Sequence, residues 1–196
     1  MKIFNGLSIV FLTFVTLLRP VNSTAGEVTD QLSRTVNELV TILVNTPVAE
    51  LRAHGLPEKA LKLVYDRFDF SELTKRSLGH HWTALNAAEQ REFVNALTQK
   101  LLVAYGRTVR ASGDEKVEFK GEVVDGNFAK VETKIISSSG EFPIDYRLHM
   151  LNGQWKVYDM VIENVSIVNN YRAQFERVIA RSSIKELLEI IKHQES

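Results

Sequence analysis

The sequence predicts an α+β fold: a four-stranded antiparallel curved sheet, flanked in the chain by helices that pack on one face of it. Three observations carry this. Apolar residues recur at three- and four-residue steps from Val28 to Tyr105, the period drops to two between Val117 and Ile162, and helical spacing returns after Ser166. The 196 residues include no cysteine, so stability rests on a hydrophobic core without disulfide staples. With no internal repeat or low-complexity stretch, one domain is expected.

The chain opens MKIFNGLSIVFLTFVTLLRPVNSTAGEV, with Lys2 before an apolar run from Ile3 to Leu18 and small residues at Ser23 and Ala25. This is the pattern of a secretory signal peptide over residues 1–25, cut after Ala25 and leaving a single domain over residues 26–196. Asn5, Gly6 and Ser8 thin the run relative to a spanning helix. The 24 basic and 24 acidic residues balance. Such neutrality argues against nucleic-acid binding and against electrostatic docking on anionic lipid.

Val28, Leu32, Val36, Leu39, Val40 and Leu43 mark an amphipathic helix, punctuated by Pro47 and then by Gly55 with Pro57. LPEKALKLVYDRF gives a short second helix and FDFSELTKRSLGHHW a third helical patch. Asn86 and Glu89 form a capping pair for a long helix whose face carries Phe93, Leu97, Leu101, Ala104 and Tyr105, ended by Gly113. In NFAKVETKII and FPIDYRLHM one parity is apolar and the other polar, so each strand has one packed and one wet face. The connectors VDGN, SSSGE and LNGQ supply turn residues, and VEFKGEV, NFAKVETKII, FPIDYRLHM and QWKVYDMVI form an antiparallel meander. QWKVYDMVI is apolar on both parities, which predicts a strand covered on both faces or bent. ENVS turns the chain, Ser166 or a neighbour starts a helix with Tyr171 and Phe175, and Ser183 with Glu186 caps a last helix.

The candidate chemistries are thin. Adjacent His80 and His81 invite a metal, but neighbours on a helix diverge and no third histidine or cysteine stands at ligand spacing, so a helix end before Trp82 is the expected reading and no metal site is assigned. Asp159 interrupts an apolar strand face. It could be a base with a raised pKa, served by Tyr146 or Tyr158 as oxyanion donor in an isomerase-like pocket. The favoured reading pairs it with Arg172 or Arg147 as a structural tie between the sheet and the last helices. No serine sits in a nucleophile elbow and no GxxxxGK[ST] motif is present, so an enzyme is not expected, and no cofactor or catalytic residue is assigned.

FDFSELTKRSLGHHW, EQREFVNALTQKLLVAY and IDYRLHMLNGQWKVYDMVIENVSIVNNYRAQF, in that order and followed by the terminal helices, closely resemble the MlaC family, periplasmic phospholipid-binding components of the Mla lipid transport system, also known as toluene-tolerance proteins. Asn164 stands where the family typically has glycine. Asparagine tolerates a positive φ, so the turn survives.

The resemblance implies a deep apolar pocket between sheet and helices, with phospholipid as bound cargo and its headgroup in solvent. It also implies a periplasmic shuttle between an outer-membrane lipoprotein–porin complex and an inner-membrane ABC transporter, maintaining outer-membrane lipid asymmetry. A monomer is expected. The residues available to line the pocket are Val131, Ile135, Ile144, Tyr146, Leu148 and Val161 from the sheet, and Phe93, Leu97, Leu101, Tyr105, Tyr171 and Phe175 from the helices. Each of them would equally fill an ordinary core. Tyr171 and Phe175 are expected to close over the pocket while Arg172 anchors the turn, with Asp159 as candidate partner. The alternatives are a periplasmic interaction module or chaperone for lipidated or apolar ligands, and the isomerase-like enzyme using Asp159.

Overall fold

The computed structural model describes residues 26–106, 116–138 and 140–193. The expected signal peptide, Gly113 and the side chains of Arg52 and Tyr105 lie outside the described residues. Helices α1 (Glu27–Val44), α2 (Val48–His54), α3 (Glu58–Arg67) and α4 (Phe70–Leu78) lead through a 3₁₀ turn (Gly79–Ala84) into α5 (Ala87–Gly106). Strands β1 (Lys116–Asp125), β2 (Phe128–Ser137), β3 (Gly140–Leu151), β4 (Gln154–Ile162) and β5 (Val165–Ser166) follow, then α6 (Ile167–Arg181) and α7 (Ile184–His193).

The sheet is an antiparallel meander of five strands in sequence order, one more than the four expected. The extra strand arises because Glu163 and Asn164 both take positive φ, 47° and 68°. Two such residues make a primed turn whose twist matches a hairpin, so Val165–Ser166 fold back to pair with Val161–Ile162 before the helix begins. A strand of two residues is too short to show alternation. Asn152 (φ 50°) and Gly153 (φ 77°) make the equivalent turn between β3 and β4.

The double parity of β4 has a simple cause. Arg147 pairs with Asp159 and Leu148 with Val157, which leaves Tyr158 as an extra residue in a β-bulge. The bulge reverses the alternation. Trp155 and Val157 therefore share a face with Met160 and Ile162, opposite Met150, Leu148, Tyr146 and Ile144 of β3. A bulge in β1, between Phe119 and Gly121, likewise brings Glu122 opposite Val131.

Two apolar clusters result. The first lies on the inner sheet face, where Val131, Leu148 and Val157 are fully buried and Val28 and Leu32 of α1 cover them. Burying those two α1 side chains contributes about 1.5–3 kcal/mol each. The second joins the helices through Leu73 and Leu78, Phe93 and Leu97, Tyr171 and Phe175, and Leu187 and Ile191. Half-buried Met160 and Ile162 of β4 pack against both clusters.

The predicted caps form. Asn86 Oδ1 accepts from the Ala88 and Glu89 amides at 2.8 and 3.1 Å, and the Asn86 amide donates to Glu89 Oε2 at 2.9 Å. Ser166 Oγ accepts from the Asn169 amide, and Ser183 Oγ from the Glu186 amide, both at 3.1 Å. Two helix starts also receive a carboxylate from the sheet. Glu122 accepts from the amide and hydroxyl of Thr29 at 2.7 and 2.6 Å in the first turn of α1, where the N-cap is Gly26. A side chain at Gly26 would overlap that carboxylate. Asp159 does the same for α6.

Candidate functional site

The inner sheet face carries most of the sheet residues expected to line the pocket, and they lie in a packed core. Alternation along β2 and β3 aims Val131, Ile144, Tyr146 and Leu148 inward, all buried, and Ile135 packs half-buried at the edge of the same cluster. Burial pushes the Tyr146 hydroxyl up to about 12, so it stays a neutral phenol. Phe93, Leu97, Leu101, Tyr171 and Phe175 come together in the other cluster, between the helices. Val161 pairs with Asp145 and shares its face with Asp159, away from Ile144. Apart from Val161, which joins neither, the expected lining residues whose side chains are described divide between two clusters that meet at Met160 and Ile162, two residues absent from the expected set.

Asn37, Val40 and Thr41 of α1 and Lys116, Val117 and Glu118 of β1 line an open surface cleft of about 450 Å³. Val117 pairs opposite Ile135, which packs at the edge of the inner-face cluster, so the cleft borders that cluster. Val40 belongs to the apolar stripe of α1 but stays half-exposed in the fold, so the stripe alone did not distinguish it from the core residues Val28 and Leu32. The polar rim is screened and charged. Lys120 hydrogen-bonds Glu118 and holds its carboxyl below the usual carboxylate range.

Asp159, 1% exposed, is fully engaged. Its Oδ1 accepts from the Val168 amide at 3.0 Å, and its Oδ2 from Ser166 Oγ at 2.7 Å and Arg147 Nη1 at 3.1 Å. That is a tertiary cap on α6 with an ion pair at its solvent side. Tyr146 sits opposite Met160 on the other face, so the phenol and the carboxylate do not converge on a common substrate position. Of the two expected arginine partners, Arg147 makes the pair. Arg172 instead donates from Nε and Nη2 to the Arg76 carbonyl, at 2.8 and 2.5 Å, and ties α6 to the end of α4. Reach explains the difference, because Arg147 is the cross-strand neighbour of Asp159.

The remaining polar contacts are structural. Asp69 caps α4 through the Glu72 amide at 2.9 Å and holds His149 Nε2 at 3.0 Å, while Arg76 stacks over Tyr158 at 4.2 Å. Among the described residues no buried side-chain nitrogen or oxygen lacks a partner, and no helix is long and apolar enough to cross a membrane.

With this geometry in view, the family model described as MlaC protein matches residues 33–193. The chain belongs to the MlaC family. It is 26% identical over 117 residues to the intermembrane phospholipid transport system binding protein MlaC of Haemophilus influenzae, across 57% of this chain and 55% of that protein. It is 23% identical over 96 residues to the toluene tolerance protein ttg2D of Pseudomonas putida, across 48% of this chain and 45% of that protein. The aligned segments thus span about half the length of these curated relatives. A phospholipid-binding protein from Ralstonia solanacearum, solved in complex with a phospholipid, superposes with a TM-score of 0.77 at 21% identity, covering 87% of this chain and 97% of that one. This member of the MlaC family therefore shares that protein's fold.

Proposed function

We propose that the protein is a phospholipid carrier that holds acyl chains along the inner sheet face and works in the periplasm after loss of residues 1–25. The observation that carries this is the apolar inner face under α1, bordered through Ile135 and Val117 by the open α1–β1 cleft and by the half-buried Met160 and Ile162. Family membership and the phospholipid in the structural neighbour support it. A diacyl lipid carries on the order of 30 methylenes at about 0.8 kcal/mol each, so a soluble carrier has to shield roughly 24 kcal/mol of apolar transfer energy. An apolar face provides this without chemistry of its own. Loading is passive, and direction comes from the partners, an outer-membrane lipoprotein–porin complex and an inner-membrane ABC transporter.

The test is native mass spectrometry, with organic extraction, of protein purified from the periplasm without detergent. A bound mass near one per chain that extracts as diacyl phospholipid is expected. Val40→Trp, which fills the cleft, should lower that occupancy while Lys130→Ala leaves it unchanged. An apo mass for the unsubstituted protein, under conditions that keep a control lipid carrier loaded, refutes the proposal.

A further inference from the structure

The 3₁₀ turn after α4 holds two histidines in an arrangement that helical geometry does not ordinarily give. Consecutive residues on a helix project in different directions and do not face one another. Here the His80 and His81 rings lie with centroids 3.9 Å apart and converge on one carboxylate, Glu176 of α6, nearly a hundred residues later. His81 Nε2 stands 3.2 Å from Glu176 Oε2, and His80 Nδ1 stands 3.6 Å from Glu176 Oε1.

We propose that His80, His81 and Glu176 form a binding site for one divalent transition-metal ion of the zinc class, which pins the 3₁₀ turn to α6. One ligand atom from each residue lies within 4.8 Å of the other two. Zinc with nitrogen and oxygen ligands at about 2.0–2.1 Å in tetrahedral geometry needs ligand atoms about 3.3–3.4 Å apart. The two rings face different oxygens of the carboxylate, at 3.2 and 3.6 Å, so closing a tetrahedral set means turning the side chains until both nitrogens meet one oxygen, from ligand atoms that already lie within 4.8 Å of one another. Two imidazoles and a carboxylate form a borderline donor set suited to zinc, copper or nickel, whereas calcium and magnesium favour all-oxygen sites. With three protein ligands, the fourth position is left to water.

The surroundings permit it. Glu176 is not occupied by a competing cation, since its ion-pair partners among the described residues are these two rings. The nearby guanidinium of Arg172, one helical turn earlier on α6, is turned to the Arg76 carbonyl. Gly79, with φ 58°, ends α4 and swings the chain so that both histidines reach α6. The site lies at the surface of the helical layer, apart from the sheet face and the cleft, and does not depend on the lipid reading.

The test is isothermal titration of Zn²⁺ into untagged, EDTA-treated and dialysed protein, with Co²⁺ absorption spectra to report the coordination geometry. One ion per chain is expected, with a tetrahedral cobalt spectrum and an affinity that falls at least about tenfold in both His81→Ala and Glu176→Gln. His80→Gln, at a side chain 76% exposed, provides a variant that leaves the packing intact and should weaken binding likewise. Absence of Zn²⁺ binding overturns the proposal. So does uptake that is equal in the wild type and all three variants, which would place the ion elsewhere, for instance at the His193–Glu189 pair.

Discussion

Replacing Asp159 separates a structural carboxylate from a catalytic one, and the structure sets the size of the effect. In Asp159→Ala the Val168 amide and the Ser166 hydroxyl, both buried, lose their shared acceptor. Each stranded donor costs about 1–3 kcal/mol, and the lost charge at the start of α6 adds to this, so a total of about 3–5 kcal/mol is expected. Asp159→Asn keeps one acceptor oxygen and nearly the same shape, and should cost about 1–2 kcal/mol. Arg147→Ala should cost under about 1 kcal/mol, because the guanidinium is 41% exposed and its attraction is screened. The assay is urea unfolding of delipidated protein followed by circular dichroism, since bound lipid would add its own stabilisation. With an m-value of about 2 kcal/mol/M, the Asp159→Ala midpoint falls by about 1.5–2.5 M. An alanine variant within about 1 kcal/mol of the wild type refutes the capping argument. Equal losses from Arg147→Ala and Asp159→Ala would show instead that the ion pair, and not the cap, holds the turn.

Two further predictions concern Tyr146 and Arg172. Tyr146 ionises less readily when folded than when unfolded, so its contribution is intact below about pH 10 and is lost as pH rises toward 12, by up to about 1.4 kcal/mol per unit. Tyr146→Phe should be free of that loss, and the wild-type-minus-variant difference in unfolding free energy should slope downward over that window; a flat difference refutes the assignment. Arg172→Ala frees the last-turn carbonyl of Arg76 and should lower the thermal midpoint by about 2–4 °C, whereas Lys130→Ala, which breaks only an exposed pair with Glu132, should leave it nearly unchanged. Equal midpoints would sink the anchoring role.

Much of the fold was legible because it is written locally. The spacing of Val28, Leu32 and Val36 requires only that a helix have 3.6 residues per turn, and the Asn86–Glu89 and Ser166 caps are satisfied within three residues. The strand faces of β2 and β3 follow from alternation alone, which is why Val131, Ile144, Tyr146 and Leu148 were placed together. The division of the candidate site was not legible. Phe93 and Tyr171 have the same apolar character as Val131, and nothing in composition says which of them meet.

The sequence by itself determined the α+β class, the order of the four long strands and the local caps at Asn86, Ser166 and Ser183, because each depends on residues within a few positions of one another. Tertiary structure decided the rest. The Tyr158 bulge, which turns Val161 away from Ile144, exists because β4 has to present Trp155, Val157, Met160 and Ile162 to one apolar layer while keeping Asp159 for α6. The carboxylates of Glu122, Asp159 and Glu176 find their partners across 93, 9 and 95 positions of chain. Contacts of the longest kind leave no periodic trace in a sequence, because they are fixed by how whole elements pack and not by the rise and turn of any one of them.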